Sequence, residues 1–223
     1  MRVYKDKKTK IICIVLIYGL VIQVLPIILM KRISINSYFQ SIVLNLIFYI
    51  FVAVSSVILS LDLLKKDAIT IFSDVKNSWE KVIIILFFTF VVFLISSICV
   101  SNMNIVNVNE KSIDNMMAHY FGATVFLSLC ICPLVEELVF RYAMIRIFNC
   151  KLLGVFISAF SFGMIHCISK MIILQDYLQI VTSIPYIILG LGFALIYIES
   201  HNIYIPLLVH IALNGLSVIS TLK

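Results

Sequence analysis

Long apolar runs are the feature of this sequence that most restricts its fold. Seven of them occupy roughly residues 11–30, 39–61, 82–100, 120–140, 152–169, 178–198 and 203–220. About 20 helical residues cross the hydrocarbon core of a bilayer. Within lipid, backbone polar groups must be satisfied inside the segment, so each run is predicted to be a helix. The predicted fold class is therefore all-α: a polytopic transmembrane helical bundle of about seven spans, with eight as the alternative.

The composition excludes a soluble domain. Apolar residues make up 62% of the chain, whereas soluble domains contain roughly 45–50%. The 17 Lys and Arg residues lie between the apolar runs and form no basic stripe interleaved with aromatics, so lipid and not nucleic acid is the expected surroundings. Most of them fall on the side of the N-terminus, which predicts a multi-pass protein of the cell membrane with a cytoplasmic N-terminus.

The chain is predicted to form a single membrane domain in two parts. Residues 1–119 supply three spans, and residues 120–223 carry the polar motifs described below. Between the second and third runs, residues 62–81 mix acids and lysines with apolar residues. This segment is predicted to be an amphipathic helix on the cytoplasmic surface. A solvated loop is the alternative.

Three polar motifs interrupt the apolar runs. They read Glu136-Glu137-Leu-Val-Phe-Arg141, Phe162-Gly-Met-Ile-His166 and His210-Ile-Ala-Leu-Asn214. Ionisable groups at membrane depth cost about 2.5–3.5 kcal/mol each on insertion scales, so they indicate a functional site.

In the first motif, one acid is predicted to be structural and the other catalytic. Glu137 and Arg141 are four residues apart on one helical face and are expected to pair. Glu136 lies about 140° from Arg141 at the helical angle of 100° per residue, so it lacks that partner. A buried, unpaired carboxylate suits a general acid or base. The alternative is that both acids are helix-end charges at the membrane interface.

The other two motifs supply imidazoles and an amide. Glu136 and His166 are equally far from a predicted turn at 149–151, about 22 Å along each helix, and are expected to face each other. His166 could also be a hydrogen-bonded core residue. His210 and Asn214 lie one turn apart, where they could bind an oxyanion. They could also be metal ligands, although Asn binds zinc poorly. A further alternative is that they form hydrogen bonds between helices.

Taken together, the three motifs resemble those of the CPBP intramembrane proteases, in order, spacing and membrane context. This family includes the type II CAAX prenyl endopeptidases and bacterial bacteriocin-processing or immunity proteins. The resemblance covers about residues 120–220 and makes 120–223 the expected catalytic core. It implies that Glu136 and His166 activate water, that His210 and Asn214 form the oxyanion site, and that Glu137 and Arg141 support them. A divalent metal such as zinc is left open.

The implied function is hydrolysis of a peptide bond in a peptide or membrane-associated protein substrate, in bacteriocin processing or self-immunity. The family motif often continues with Gly after the Arg, where this chain has Tyr142, so a CAAX substrate is in doubt. A non-catalytic immunity or binding protein on the same scaffold is the first alternative. A proton-coupled transporter that uses Glu136, His166 and His210 as a relay is the second. The oligomeric state is undetermined by the sequence.

Overall fold

The computed structural model describes residues 2–32 and 37–222. Within them every regular element is helical, and no strand occurs. The α-helices are α1 Arg2–Tyr18, α2 Leu25–Arg32, α3 Tyr38–Ser101, α4 Val108–Phe126, α5 Cys132–Glu136, α6 Ile145–Ile147, α7 Lys151–Leu174, α8 Ser183–Ser200 and α9 Tyr204–Thr221. Wider π-helical turns join some of them at Gly19–Val24, Leu127–Ile131 and Glu137–Met144, and a 3-10 helix at Tyr177–Thr182 precedes α8.

Six continuous helical stretches in the described residues are long and apolar enough to cross a membrane. They are Lys8–Leu29, Tyr38–Ser101, Val108–Ile147, Lys151–Leu174, Tyr177–Ser200 and Tyr204–Thr221. The predicted class, an all-α transmembrane bundle, is confirmed. Each predicted apolar run coincides with part of one of these stretches, to within one residue at the ends.

The number of stretches is one fewer than the predicted spans because α3 is unusually long. Its 64 residues contain the runs 39–61 and 82–100 and the segment between them. A straight helix of this length would measure about 96 Å, roughly three times the hydrocarbon thickness of a bilayer. No Gly or Pro occurs from 38 to 101, so nothing in the backbone chemistry interrupts the helix. Segment 62–81 is therefore helical, as predicted, and not a loop.

The second half of α3 packs along α8. The side chain of Thr89 lies against Gly192, where any larger residue on α8 would collide with it. Nearer the end of α8, Lys81 Nζ lies 2.8 Å from a carboxylate oxygen of Glu199. These contacts attach α3 to the part of the chain that carries the polar motifs.

A buried polar cluster fixes the start of α9, the helix that carries the third motif. Asp67 of α3 is fully buried, and one of its carboxylate oxygens accepts a hydrogen bond of 2.8 Å from the backbone N–H of Ile203. Asn202 donates to the backbone carbonyl of Asp67 at 2.7 Å and accepts from the N–H of Tyr204 at 3.0 Å. Helix N-termini leave such N–H groups unpaired, so α9 is capped partly by another helix.

Glycines bring α7 and α8 into close contact. A Cβ on Gly163 would lie 2.8 Å from the backbone N of Ile187 and 2.9 Å from the backbone O of Ser183. From the other helix, a Cβ on Gly190 would lie 3.0 Å from the backbone O of Ala159. Side chains of Ile187 and Phe162 also lie close to these positions. The backbone atoms, however, cannot move aside as a flexible side chain would.

We expect Gly163→Ala to destabilise the protein by about 1–3 kcal/mol, because the added methyl group forces α7 and α8 apart. Gly122→Ala is the matched control, since nothing lies within 4 Å of a Cβ at that helical position. There alanine should be neutral or stabilise the helix by about 0.5–1 kcal/mol. Reversible unfolding in mixed micelles measures both, and equal effects at the two positions would contradict the packing argument.

Candidate active site

A buried ion pair forms the base of the site. Arg141 and Glu137 are both fully buried, and Nε of Arg141 lies 3.1 Å from Oε2 of Glu137, so the pair predicted from their spacing is present. Arg141 also donates from Nη1 to the hydroxyl of Ser158 at 3.2 Å. Its guanidinium carbon lies 4.6 Å from the ring centroid of Phe162. The ion pair, the hydroxyl and the aromatic face together offset the cost of burying the charge.

Glu137 connects this ion pair to His210. Nδ1 of His210 lies 2.9 Å from Oε1 of Glu137, and Nε2 lies 3.7 Å from Oε2 of Glu136. The two ring nitrogens point in different directions, so one imidazole meets both neighbouring acids. A hydrogen bond from Nδ1–H to Glu137 sets the tautomer of a neutral ring and leaves Nε2 facing Glu136. The sequence reasoning paired Glu137 only with Arg141 and missed this bridge.

The chain conformation changes at the two acids. Helix α5 ends at Glu136, and the π-helical turn Glu137–Met144 begins at the next residue. Such wider turns occur mostly as short insertions in α-helices and often at functional sites. Both acids are buried here, which excludes the alternative that they are charges at an exposed helix end.

His166 does not contact Glu136. Its Nδ1 lies 2.8 Å from the backbone O of Phe162, and its ring stacks on Tyr186 with centroids 4.1 Å apart. The ring of Phe162 adjoins both histidines, at 5.0 Å from His166 and 5.8 Å from His210. In the described part of the chain, no hydrogen bond or ion pair joins His166 to Glu136. The hairpin symmetry used in the sequence reasoning sets depth along the two helices, but not the rotation of each about its axis.

Asn214 lies one turn beyond His210 on α9 and binds another part of the bundle. Its Nδ2 donates to the backbone O of Ser128 at 2.9 Å, within the π-helical turn Leu127–Ile131. This contact matches the interhelical hydrogen bond that was one of the sequence alternatives. A primary amide has a second N–H, which this bond leaves available.

Two residues beside the site were missed by sequence reasoning. Phe193 of α8 stacks on His210, with centroids 4.7 Å apart and ring planes at 21°. The hydroxyl of Ser158 on α7 accepts a hydrogen bond from Arg141 and donates one to the backbone O of Phe140 at 2.7 Å. An aromatic residue or a serine inside an apolar run carries no distinguishing signal, so only the packing reveals them.

The sequence left open what Tyr142 contacts and whether the site binds a metal. Tyr142 is buried, and its ring lies 4.9 Å from the guanidinium carbon of Arg146, which places it beside that arginine. Across 2–32 and 37–222, no three His, Cys, Asp or Glu side chains are grouped so as to hold a metal ion.

The fold and the buried polar groups define a class of protein: a multi-pass helical membrane protein with an acid–imidazole site inside the bundle. Residues 118–216 match the model of the family described as type II CAAX prenyl endopeptidase Rce1-like. This match covers the three motifs and agrees with the family that they resemble. At the level of the family, the match supports an intramembrane protease of the CAAX type. No curated protein and no solved structure shows significant similarity to the chain.

Proposed function

We propose that this protein is an intramembrane endopeptidase that hydrolyses a peptide bond with water activated by Glu136 and His210. The observation that carries the proposal is the position of His210, which is hydrogen-bonded to Glu137 and faces Glu136 across 3.7 Å. A carboxylate and an imidazole at this separation, inside an apolar bundle, can together take up and release a proton. The family match over the same residues supports the reaction class.

In the proposed reaction, water attacks the carbonyl carbon of the scissile peptide bond while its proton passes to Glu136. The C–N bond of the resulting tetrahedral species then breaks. The leaving amine receives that proton from Glu136, directly or through Nε2 of His210, so the site returns to its starting protonation state. Arg141 and Glu137 act as positioning residues, since Glu137 holds Nδ1 of His210 and thereby directs Nε2.

Asn214 is proposed to act on the substrate carbonyl and His166 on a water. Nδ1–H of His166 donates to the carbonyl of Phe162, which leaves Nε2 as an acceptor for a water O–H. The second N–H of Asn214 is available beside its bond to Ser128 and can donate to the substrate oxygen. Removal of one such donor to a developing oxyanion typically costs about 10²–10³ in kcat. This assignment moves the assistance of Glu136 from His166 to His210, because among the described residues His210 is the histidine with a ring nitrogen beside the acid.

The substrate is proposed to be a peptide or protein held at the membrane. A site inside a helical bundle is reached most readily by a substrate chain that is itself anchored in lipid. The distribution of Lys and Arg separately supports a cytoplasmic N-terminus for the protein. Three peptides separate the candidate substrates: a C-terminal CAAX peptide with its isoprenoid, the same peptide without it, and a leader-containing bacteriocin precursor.

The test is cleavage of these peptides by the purified full-length protein in lipid vesicles, with products identified by mass spectrometry. We expect one or more of them to yield two fragments whose summed mass exceeds that of the peptide by one water. Preference for the isoprenylated peptide would assign the CAAX class, whereas cleavage of the precursor alone would assign bacteriocin processing. Correctly folded protein that cleaves none of the three would contradict the proposed function.

A further inference from the structure

A second group of buried polar side chains lies beside Glu136, contributed by the N-terminal helices. Tyr18, at the end of α1, is 3% exposed, and its ring packs edge-on against Phe140 with centroids 5.5 Å apart. The side chains of Gln23 and Tyr49 lie next to the Tyr18 hydroxyl. Neither meets it with the geometry of a hydrogen bond, because Tyr18 Oη and Gln23 Oε1 are both enclosed without a partner.

This group lies in the neighbourhood of the proposed base. Tyr18, Tyr49 and the thiol of Cys132 all lie close enough to Glu136 to interact with it electrostatically. The carboxylate of Glu136 is buried, and its contact with Nε2 of His210, at 3.7 Å, is longer than a hydrogen bond. The Tyr18 hydroxyl and the Gln23 amide oxygen therefore lie in the neighbourhood of this carboxylate with hydrogen-bonding capacity to spare.

Buried polar atoms in proteins are nearly always hydrogen-bonded, either to the protein or to an ordered water. A water molecule is stable in an enclosed site when about two to four polar groups surround it. Tyr18, Gln23 and Glu136 provide both donors and acceptors for one. The backbone that carries Gln23 is the π-helical turn Gly19–Val24, another wider turn of the kind that often occurs at functional sites.

We propose that Tyr18 is a further catalytic residue, whose hydroxyl, with Gln23 and Tyr49 beside it, binds the water that Glu136 activates. This inference rests on the proposed function and adds to it a residue outside the matched segment 118–216. The Tyr18 O–H donates to one lone pair of the water, and the water donates one of its own protons to Glu136. The second lone pair attacks the peptide carbonyl. Tyr18 keeps its proton throughout, and no bond to it forms or breaks.

Tyr18→Phe tests the role of the hydroxyl while keeping the ring against Phe140. We expect kcat to fall about 10- to 100-fold, since the attacking water loses its orientation, with KM changed less than about twofold because the substrate contacts remain. Tyr197→Phe is the matched control: Tyr197 is 4% exposed and its hydroxyl is also buried without a partner, but it lies beside Arg146. It should leave both constants unchanged.

The outcomes separate this inference from the proposed function. If wild-type protein cleaves and Glu136→Gln does not, an unchanged kcat in Tyr18→Phe overturns the role of Tyr18 while the protease stands. An equal loss of kcat in Tyr18→Phe and Tyr197→Phe also overturns it, since removal of any buried hydroxyl would then have the same effect.

A second measurement needs no substrate. If the Tyr18 hydroxyl donates to a water that Glu136 also binds, Tyr18→Phe leaves that buried water short of one partner and lowers the unfolding midpoint in mixed micelles. If the hydroxyl has no partner, Tyr18→Phe removes an unsatisfied buried group and leaves the midpoint unchanged or raises it. We expect a lower midpoint in Tyr18→Phe than in the wild type. An unchanged or higher midpoint would overturn a water bound between Tyr18 and Glu136, whether or not a substrate has been found.

Discussion

Replacement of Glu136 by glutamine is expected to lower the rate of peptide cleavage by about 10²- to 10⁴-fold, the range typical for loss of a general base. Glutamine has nearly the same shape as glutamate but cannot accept a proton from water. The imidazole of His210 remains hydrogen-bonded to Glu137, so the geometry of the site should survive. The loss should therefore appear in kcat, with little change in the amount of folded protein.

Glu199→Gln is the matched control for this substitution. Glu199 lies near the end of α8, is more exposed and pairs with Lys81, away from the polar motifs. The measurement is kcat/KM for whichever peptide wild-type protein cleaves, alongside helical content by circular dichroism. A Glu136→Gln variant that cleaves as fast as Glu199→Gln would remove Glu136 from the mechanism.

Arg141→Ala is expected to destabilise the protein by about 3–5 kcal/mol, the cost of leaving one partner of a buried ion pair without the other. Glu137 is fully buried, so its carboxylate cannot turn to water. Activity should fall as well, because the position of Glu137 determines that of His210. Lysine should not restore either property, since it cannot reproduce the planar contacts of the guanidinium with Ser158 and Phe162.

Arg146→Ala is the control for the loss of a positive charge without the loss of a buried ion pair. Arg146 is exposed and lies against Tyr142, so its removal should cost much less. Unfolding in mixed micelles gives the stability of each variant. The double substitution Glu137→Leu with Arg141→Leu should recover part of the lost stability without activity, because it removes the uncompensated charge. If Arg141→Ala were no more destabilising than Arg146→Ala, the buried pair could not be what holds the site together.

Features that depend on neighbouring residues in the chain were predictable from the sequence. The apolar runs predicted transmembrane helices because lipid leaves the backbone no other way to satisfy its polar groups. Four-residue spacing predicted the Glu137–Arg141 pair, since residues that far apart share a helical face. The order and spacing of the three motifs suggested the family that residues 118–216 match.

Features that depend on how helices rotate and pack against one another were not predictable from the sequence. The symmetry of the α6–α7 turn placed His166 level with Glu136, but rotation of α7 directs its ring toward Tyr186. His210, from a helix distant in the chain, occupies the place beside the acid. The sequence predicted a helix over 62–81 but not that it joins both neighbouring apolar runs into one helix. The cap that Asp67 provides to α9 had no sequence signal.

The sequence by itself determined that the chain is a helical membrane protein and which polar residues interrupt its apolar helices, because hydropathy and helical periodicity are local properties. The tertiary structure alone decided which imidazole meets Glu136, how Glu137 bridges Arg141 and His210, and that Tyr18 approaches the site from outside the matched segment. The physical reason is that periodicity defines faces and depths within one helix, whereas contacts between helices depend on side-chain packing across their shared surface.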